Sequence, residues 1–282
     1  MNVLVSVNRG YMRHFYVMLA SLVGNTECPV RVFVLHDDLT KEDEDRTGKL
    51  FPEIKFDFIF MDKAVYEGFP TVKRYPRTVY YRIFAPLALP DDVDRVLYLD
   101  CDLVLHNSID GFYRTDFCGN YFVACTNAGK LLTLLNRIRL LVGRNHVYMN
   151  TGVLLMNVKA LKGVMNEEAI RRYTVKNRYK LMLYDQDILC KFYGDRVLLE
   201  DKLKYNLSDR HLSRHNAFKR NKITEDWVEN NNVIVHYIGT NKPWKDGYRG
   251  VLDRYYKQSE RALDARICSL NGGANEAFKA VF

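Results

Sequence analysis

Val96-Leu97-Tyr98-Leu99-Asp100-Cys101-Asp102 (VLYLDCD) is an apolar run that closes on two aspartates one residue apart. Val96 to Leu99 has the character of a short buried strand, and ligands of open α/β sheets gather at the C-terminal ends of such strands. On an extended backbone, residues i and i+2 project to the same side, so Asp100 and Asp102 are expected to converge on one point. Two carboxylates held together repel, and a divalent cation between them removes that cost. A metal held this way would grip a diphosphate. The alternative is a solvated acidic turn after a strand. Cys101 is expected to turn its thiol away from the metal and into the core.

Around this segment the first hundred residues alternate between strand and helix patterns. Val3–Val7 and Val30–Leu35 read as strands, as does the alternating Ile54–Met61. Tyr11–Val23 carries apolar residues at helical spacing. Leu39–Leu50 is polar and acidic, with Thr40 placed as an N-cap and Asp43 three residues on, as in a capping box. Arg77–Leu87 suits a helix interrupted by Pro86 and ended near Pro90. Strands separated by helices predict an α/β fold with a mostly parallel sheet covered on both faces. Further on, Tyr121–Cys125 and Met149–Met156 are expected strands, Glu167–Lys176 and Gln186–Tyr193 expected helices, and Val233–Val235 a last short strand. The reading is one domain over residues 1–258, irregular in its C-terminal half, followed by a polar helix and tail over 259–282.

A chain of 282 residues with 48% hydrophobic residues suits one large domain with a sizeable core. No apolar run approaches the ~20 residues that span a bilayer. The opening MNVLVSVNRG lacks a basic region followed by a long apolar stretch, so no signal peptide is expected and the cytoplasm is favoured. The cysteines at 28, 101, 118, 125, 190 and 268 form no metal or redox spacing and are expected to be reduced thiols. Asn206-Leu207-Ser208 is a formal glycosylation sequon, without consequence unless the chain is secreted. Lys and Arg outnumber Asp and Glu by 42 to 34, a net charge of +8, alongside 19 tyrosines. Nucleic acid, an anionic membrane face or a phosphorylated ligand would each suit a basic surface. The basic residues are dispersed, loosely concentrated over His211–Lys222, and form no nucleic-acid module, so nucleic acid is set aside. Tyrosine with basic residues suits peripheral attachment at the inner face of a membrane.

His236 follows the apolar run NNVIV and so leaves a buried strand much as Asp100 does. A lone histidine is usually structural, but here HYIGTNKPW follows. Gly239 permits a close turn around a ligand, Lys242 supplies a point charge for phosphate, and Pro243 and Trp244 stiffen the loop. Two aspartates and an imidazole suit Mn²⁺, with Mg²⁺ as the alternative. In YMNTGVLLMN, Asn150, Thr151 and Gly152 open a strand that Asn157 closes. They are either turn residues or amides that hydrogen-bond sugar hydroxyls. In YDQD, Asp185 is either a helix N-cap or, with Gln186, faces a reacting sugar.

Taken in order, VLYLDCD, MNTGVLLMN, YDQDIL and HYIGTNKPW resemble the family 8 glycosyltransferases, which include bacterial lipopolysaccharide galactosyl- and glucosyltransferases and glycogenin. The resemblance runs from Val3 to about Tyr256. It implies a GT-A fold, a UDP-sugar donor and a Mn²⁺ ion held by Asp100, Asp102 and His236. By motif position Lys242 and Gly239 would contact the diphosphate, and Arg82 the donor phosphate and sugar. Asn150, Asp185 and Gln186 would lie around the donor sugar as the catalytic group, with Thr151, Gly152, Cys101 and Asn127 among the donor-binding positions. Tyr11 would stack near the uracil, with Asn8 beside it. The chain departs from the family twice. Its first-strand motif reads N-R-G-Y where relatives often have D-x-N-Y, and Asn127 stands where many place an acid.

The implied reaction moves glucose or galactose onto a hydroxyl of a cell-surface glycan or lipid-linked oligosaccharide, with retained configuration. Retaining hydrolases place a carboxylate behind the sugar, whereas the nearest motif here offers Gln186, a poor nucleophile. Front-face attack is therefore expected, with Asp185 as the alternative nucleophile. Two rivals stand beside this reading. D-C-D-L-V also fits the nucleophile motif of HAD-type phosphohydrolases, although they carry it on an early strand, and a non-catalytic nucleotide-sugar-binding homologue would share the same motifs.

Overall fold

Strand and helix patterns assemble around a central sheet, as seen in a computed structural model that describes residues 1–72 and 76–270. The strands are β1 (Asn2–Ser6), β2 (Val30–His36), β3 (Ile54–Phe60), β4 (Arg95–Leu99), β5 (Leu103–Leu105), β6 (Phe122–Ala124), β7 (Val153–Asn157), β8 (Val197–Leu199) and β9 (Ile234–His236). Seven of them form one sheet in the order β3-β2-β1-β4-β7-β6-β8, and β5 pairs with β9 in a separate ribbon. The pairs β1/β2, β1/β4, β2/β3 and β6/β8 are parallel. β7 runs antiparallel to both neighbours, β4 and β6. The mostly parallel α/β architecture is therefore as expected, with one reversed strand that no local pattern announces. β7 fills a slot left open between β4 and β6.

Among the described residues the helices are α1 (Met12–Val23), α2 (Lys41–Leu50), α3 (Tyr81–Ala88), α4 (Asp110–Tyr113), α5 (Lys130–Leu140), α6 (Val158–Val164), α7 (Glu167–Lys176), α8 (Tyr184–Tyr193), α9 (Lys202–Tyr205), α10 (Asp209–Phe218), α11 (Glu225–Asn231) and α12 (Asp253–Leu270). The period-two geometry of β4 divides its side chains between two apolar layers. Leu97 and Leu99 enter the layer built on α1 and α12. Val96 and Tyr98 enter the layer that holds the apolar faces of α3, α6 and α8. The sheet is thus covered on both sides, which is why β1 and β4 are apolar almost throughout.

The predicted capping box forms: the Thr40 hydroxyl accepts from the Asp43 N–H and the Asp43 carboxylate accepts from the Thr40 N–H. The segment at Arg77 begins as a 3-10 turn, Arg77–Tyr80, and continues as α3 with Pro86 inside it. α12 crosses the expected division after residue 258, burying Tyr255 and Tyr256 before it and Ser259 and Leu263 after it. Residues 271–282 of the expected tail lie outside the described residues. Cys28, Cys101, Cys118, Cys125 and Cys190 are free thiols. No helix among the described residues is long and apolar enough to cross a membrane.

Candidate active site

Two antiparallel pairings bring the distant motifs together. Val153 at the head of β7 lies opposite Leu99, and the Asp100 N–H donates to the Gly152 carbonyl at 2.9 Å. In the β5/β9 ribbon Leu103 lies opposite His236, and the Tyr237 N–H donates to the Asp102 carbonyl at 3.0 Å. The Asn150–Gly152 segment and His236 therefore stand on either side of Asp100 and Asp102. The two aspartates lie in the turn between β4 and β5, not within a strand. That turn, in place of strand alternation, directs both carboxylates to one side. One ligand atom each from Asp100, Asp102 and His236 lie within 4.8 Å of one another.

The orientation of His236 follows from a chain of hydrogen bonds anchored on the backbone. The Gly152 N–H donates to Asn150 Oδ1 at 3.1 Å. Asn206 Nδ2 donates to the same oxygen at 2.8 Å, so Asn206 Oδ1 must face His236 Nδ1, also at 2.8 Å. Nδ1 is then the donor, and the coordinating electron pair is left on Nε2. Nε2 lies 3.1 Å from Asp102 Oδ1 and 3.8 Å from Asp100 Oδ2. A fixed imidazole with its free nitrogen aimed at two carboxylates is a donor set suited to a divalent cation. Gly152 completes the cradle, because a Cβ there would overlap His236 Cε1 and Asp100 Oδ2.

Buried cations surround this cluster. Lys242 pairs with Asp102 and donates to the Tyr237 carbonyl at 2.7 Å. Burial alone would raise the Asp102 pKa, but Lys242 and His236 outweigh it and hold the carboxyl well below the usual range. Arg82, buried, reaches Asp100 Oδ1 at 2.8 Å, the Thr151 carbonyl at 2.7 Å and Asp185 Oδ2 at 3.4 Å. Its guanidinium lies 4.3 Å from the centre of the Tyr98 ring, whose hydroxyl donates to Asp100 at 2.9 Å. Asp185 also accepts from the Thr151 hydroxyl at 2.9 Å. Burial pushes the Asp185 pKa up to about 6, against the pull of Arg82 and Thr151.

These groups line a cavity of about 550 Å³, within the range of small-ligand sites. Its wall includes Asn8, Tyr11, Arg82, Asp100, Cys101, Asp102, Asn150, Thr151, Gly152, Asp185, Gln186, His236, Gly239 and Lys242. The Cys101 thiol turns toward the Ser6 carbonyl, 3.9 Å away, and burial pushes its pKa up. Gly239 takes φ of 96°, the left-handed region that glycine enters without strain. Tyr11 meets the edges of His14 and Trp244, with ring centres 5.0 and 6.1 Å away. Asn127 is the one expected residue that the structure leaves outside the lining. Its buried Oδ1 has no hydrogen-bond partner among the described residues.

The N-cap alternative for Asp185 is not realised. α8 begins at Tyr184 with Leu183 in the cap position and no side-chain cap, while the Asp187 carboxylate accepts from the N–H groups of Met182 and Leu183 just before the helix. Sequence reasoning also missed Asn206, passing over it as a sequon residue. It is fully buried and orients His236. Nothing local marks it, because its partners lie 56 and 30 residues away.

Comparison with known proteins agrees with this geometry. Residues 2–247 match the family model for Glycosyl transferase family 8. The lipopolysaccharide 1,3-galactosyltransferase of Salmonella typhimurium is 26% identical, over 95% of this chain and 80% of its own length. An Escherichia coli lipopolysaccharide 1,2-glucosyltransferase is 23% identical over 87% of this chain and 73% of its own. The solved structure of the galactosyltransferase LgtC with donor and acceptor sugar analogues superposes with a TM-score of 0.79 at 19% identity, covering both chains entirely. GlyE of Streptococcus pneumoniae superposes with a TM-score of 0.70 at 22% identity, over 95% of this chain and 63% of its own. The D-C-D motif follows the fourth strand of this fold, not an early strand as in phosphohydrolases. The chain belongs to glycosyl transferase family 8 and has the GT-A fold of its structural neighbours.

Proposed function

We propose that this glycosyltransferase moves glucose or galactose from a UDP-sugar to a hydroxyl of a cell-surface glycan or lipid-linked oligosaccharide, with retention and with Mn²⁺ at Asp100, Asp102 and His236. The observation that carries the reading is the convergence of these three ligands beside Lys242 and Arg82 in one cavity. Two of its relatives are, by their names, lipopolysaccharide galactosyl- and glucosyltransferases, which supports a glycan acceptor. When bound, Mn²⁺ supplies Lewis-acid stabilisation of the charge that develops on the departing diphosphate. Lys242, steadied by the Tyr237 carbonyl, adds a positive charge to the leaving oxygen. Losing one such group typically costs on the order of 3 kcal/mol of barrier, about 10² in rate.

Asp185 is already engaged by Arg82 and Thr151. That supports a positioning role for it over nucleophilic attack. Gln186 lines the cavity with an amide that orients the sugar and does not attack it. Front-face attack follows, with the leaving phosphate oxygen accepting the proton of the acceptor hydroxyl while the new glycosidic bond forms. In this reading Asn8 and Tyr11, both in the cavity lining, take the nucleobase, and Asn150, Thr151 and Gly152 take the sugar.

The test is release of UDP from UDP-glucose and UDP-galactose with Mn²⁺, with EDTA, and with Asp102→Asn. Loss of turnover in the last two supports the scheme, and undiminished turnover in chelator overturns it. Tight UDP binding with neither transfer nor slow donor hydrolysis would identify a non-catalytic homologue.

A further inference from the structure

Surface helices ordinarily turn their polar side outward. α5 does the reverse. It buries Asn136 and Leu140, while Leu131, Leu132, Leu134, Leu135 and Ile138 are 51–71% exposed. Leu131, Leu134, Leu135 and Ile138 follow the i, i+3, i+4, i+7 spacing of one continuous helical stripe. Leu141, 78% exposed, extends it at the helix end with φ of 54°, where glycine is the usual residue. The loop before α8 adds Tyr179 and Met182, both largely exposed. Arg139 ties that loop to α5 by donating to the Lys180 carbonyl at 2.9 Å and to the Asp187 carboxylate at 2.6 Å. The patch is held as one surface.

Charge selects the occupant. Between Asp116 and Glu167 the chain contains no acidic residue but carries Lys130, Arg137, Arg139, Arg144, Lys159 and Lys162. Asp187 answers the charge of Arg139, while Lys130, Arg144, Arg178 and Lys180 are exposed around the stripe. A second copy of this chain meeting the same face would bring these cations together with no acid between them. A neutral bilayer would accept the leucines and leave the cations without counter-charge. An anionic interface satisfies both, with leucines among the acyl chains and cations at the phosphates.

We infer that α5, with the loop before α8, is a docking surface for an anionic phospholipid bilayer. Leu183 belongs both to that loop and to the cavity wall, so docking sets the cavity beside the membrane. The inference is independent of sugar transfer, since vesicle binding requires neither donor nor metal.

The test is flotation of the full chain with vesicles of phosphatidylglycerol and phosphatidylethanolamine, or of phosphatidylcholine alone. Binding to the anionic vesicles is expected, weakened by salt and at least about tenfold weaker on phosphatidylcholine. The triple variant Leu131→Ser, Leu134→Ser, Ile138→Ser is expected to lose at least about tenfold in partition. Its donor hydrolysis and circular dichroism should be unchanged, because the replaced side chains are exposed. Lys130→Gln with Arg144→Gln should weaken binding and flatten its salt dependence. That variant carries the test by itself if the serine variant fails to fold. The inference falls if the chain ignores anionic vesicles, binds both compositions equally, or binds as well with the leucines replaced. A two-chain mass by light scattering that the serine variant reduces to one would assign the face to self-association and overturn it as well.

Discussion

At the scale of single residues, the site depends on an uncharged amide that holds His236 from the side away from the aspartates. Asn206 receives its orientation from Asn150, which receives its own from a backbone N–H, and it passes this on to His236. Asn206→Ala leaves His236 Nδ1 without an acceptor and frees the ring to present either nitrogen. Partners of metal-bound histidines typically contribute about 10–100-fold in metal affinity. Mn²⁺ affinity, read by electron paramagnetic resonance without donor or acceptor, should fall by that factor, and an unchanged affinity would remove Asn206 from the site. Arg82 presents the opposite case, a buried cation facing Asp100 and Asp185. Arg82→Gln leaves two carboxylates uncompensated and should destabilise the fold by roughly 3–5 kcal/mol. Asp185→Asn in the same chain should recover part of that loss in urea unfolding. No recovery would mean that the two side chains are not energetically coupled.

At the scale of elements, what was legible in the sequence is what is local. The capping box joins residues three apart and forms as read, and the apolar runs of β1, β2 and β4 announce a sheet covered on both faces. The meeting of Asp100, Asp102 and His236 was legible only through the order of four motifs, because the β5/β9 ribbon that achieves it spans more than a hundred residues. β7 carries no mark of its reversed direction, since a strand buried between two others is apolar whichever way it runs. Asp185 and Asp187 both stand at the start of α8, and only tertiary packing decides that the first meets Thr151 while the second turns back to the N–H groups before the helix. Gly152 shows the same limit. It reads as a turn residue, yet its lack of a side chain is what lets the head of β7 approach the metal ligands. Gly152→Ala should therefore leave the sheet intact by circular dichroism while lowering Mn²⁺ affinity at least about tenfold. Wild-type affinity in that variant would mean that the strand head yields and the cradle is not tight.

At the scale of the whole molecule, buried titratable groups distant from one another set how the fold answers to acid. Burial first, then neighbouring cations, pushes the pKa values of His14 and His211 down to about 4 from 6.5. His14 lies against Trp244 with ring centres 3.9 Å apart, a stack that helps to bury the imidazole. A histidine depressed in this way contributes stability that is complete above pH 6.5 and lost as the pH falls through 4. Asp185 acts in the other direction. Its folded pKa of about 6 exceeds the ordinary 3.8, so its contribution is complete below 3.8 and lost as the pH rises through 6. Across the shared window two histidines lose stability on acidification while one carboxyl gains it, and shifts of similar size leave a net loss. The melting temperature should therefore fall as the pH is lowered from 6.5 toward 4. His14→Gln, which keeps a polar side chain of similar reach without a titrating ring, should flatten that dependence. Asp185→Asn, which deletes the opposing group, should steepen it. Calorimetric scans across this range decide the matter: a melting temperature that rises on acidification, or slopes unaltered by either substitution, would mean that these buried groups do not govern the acid response.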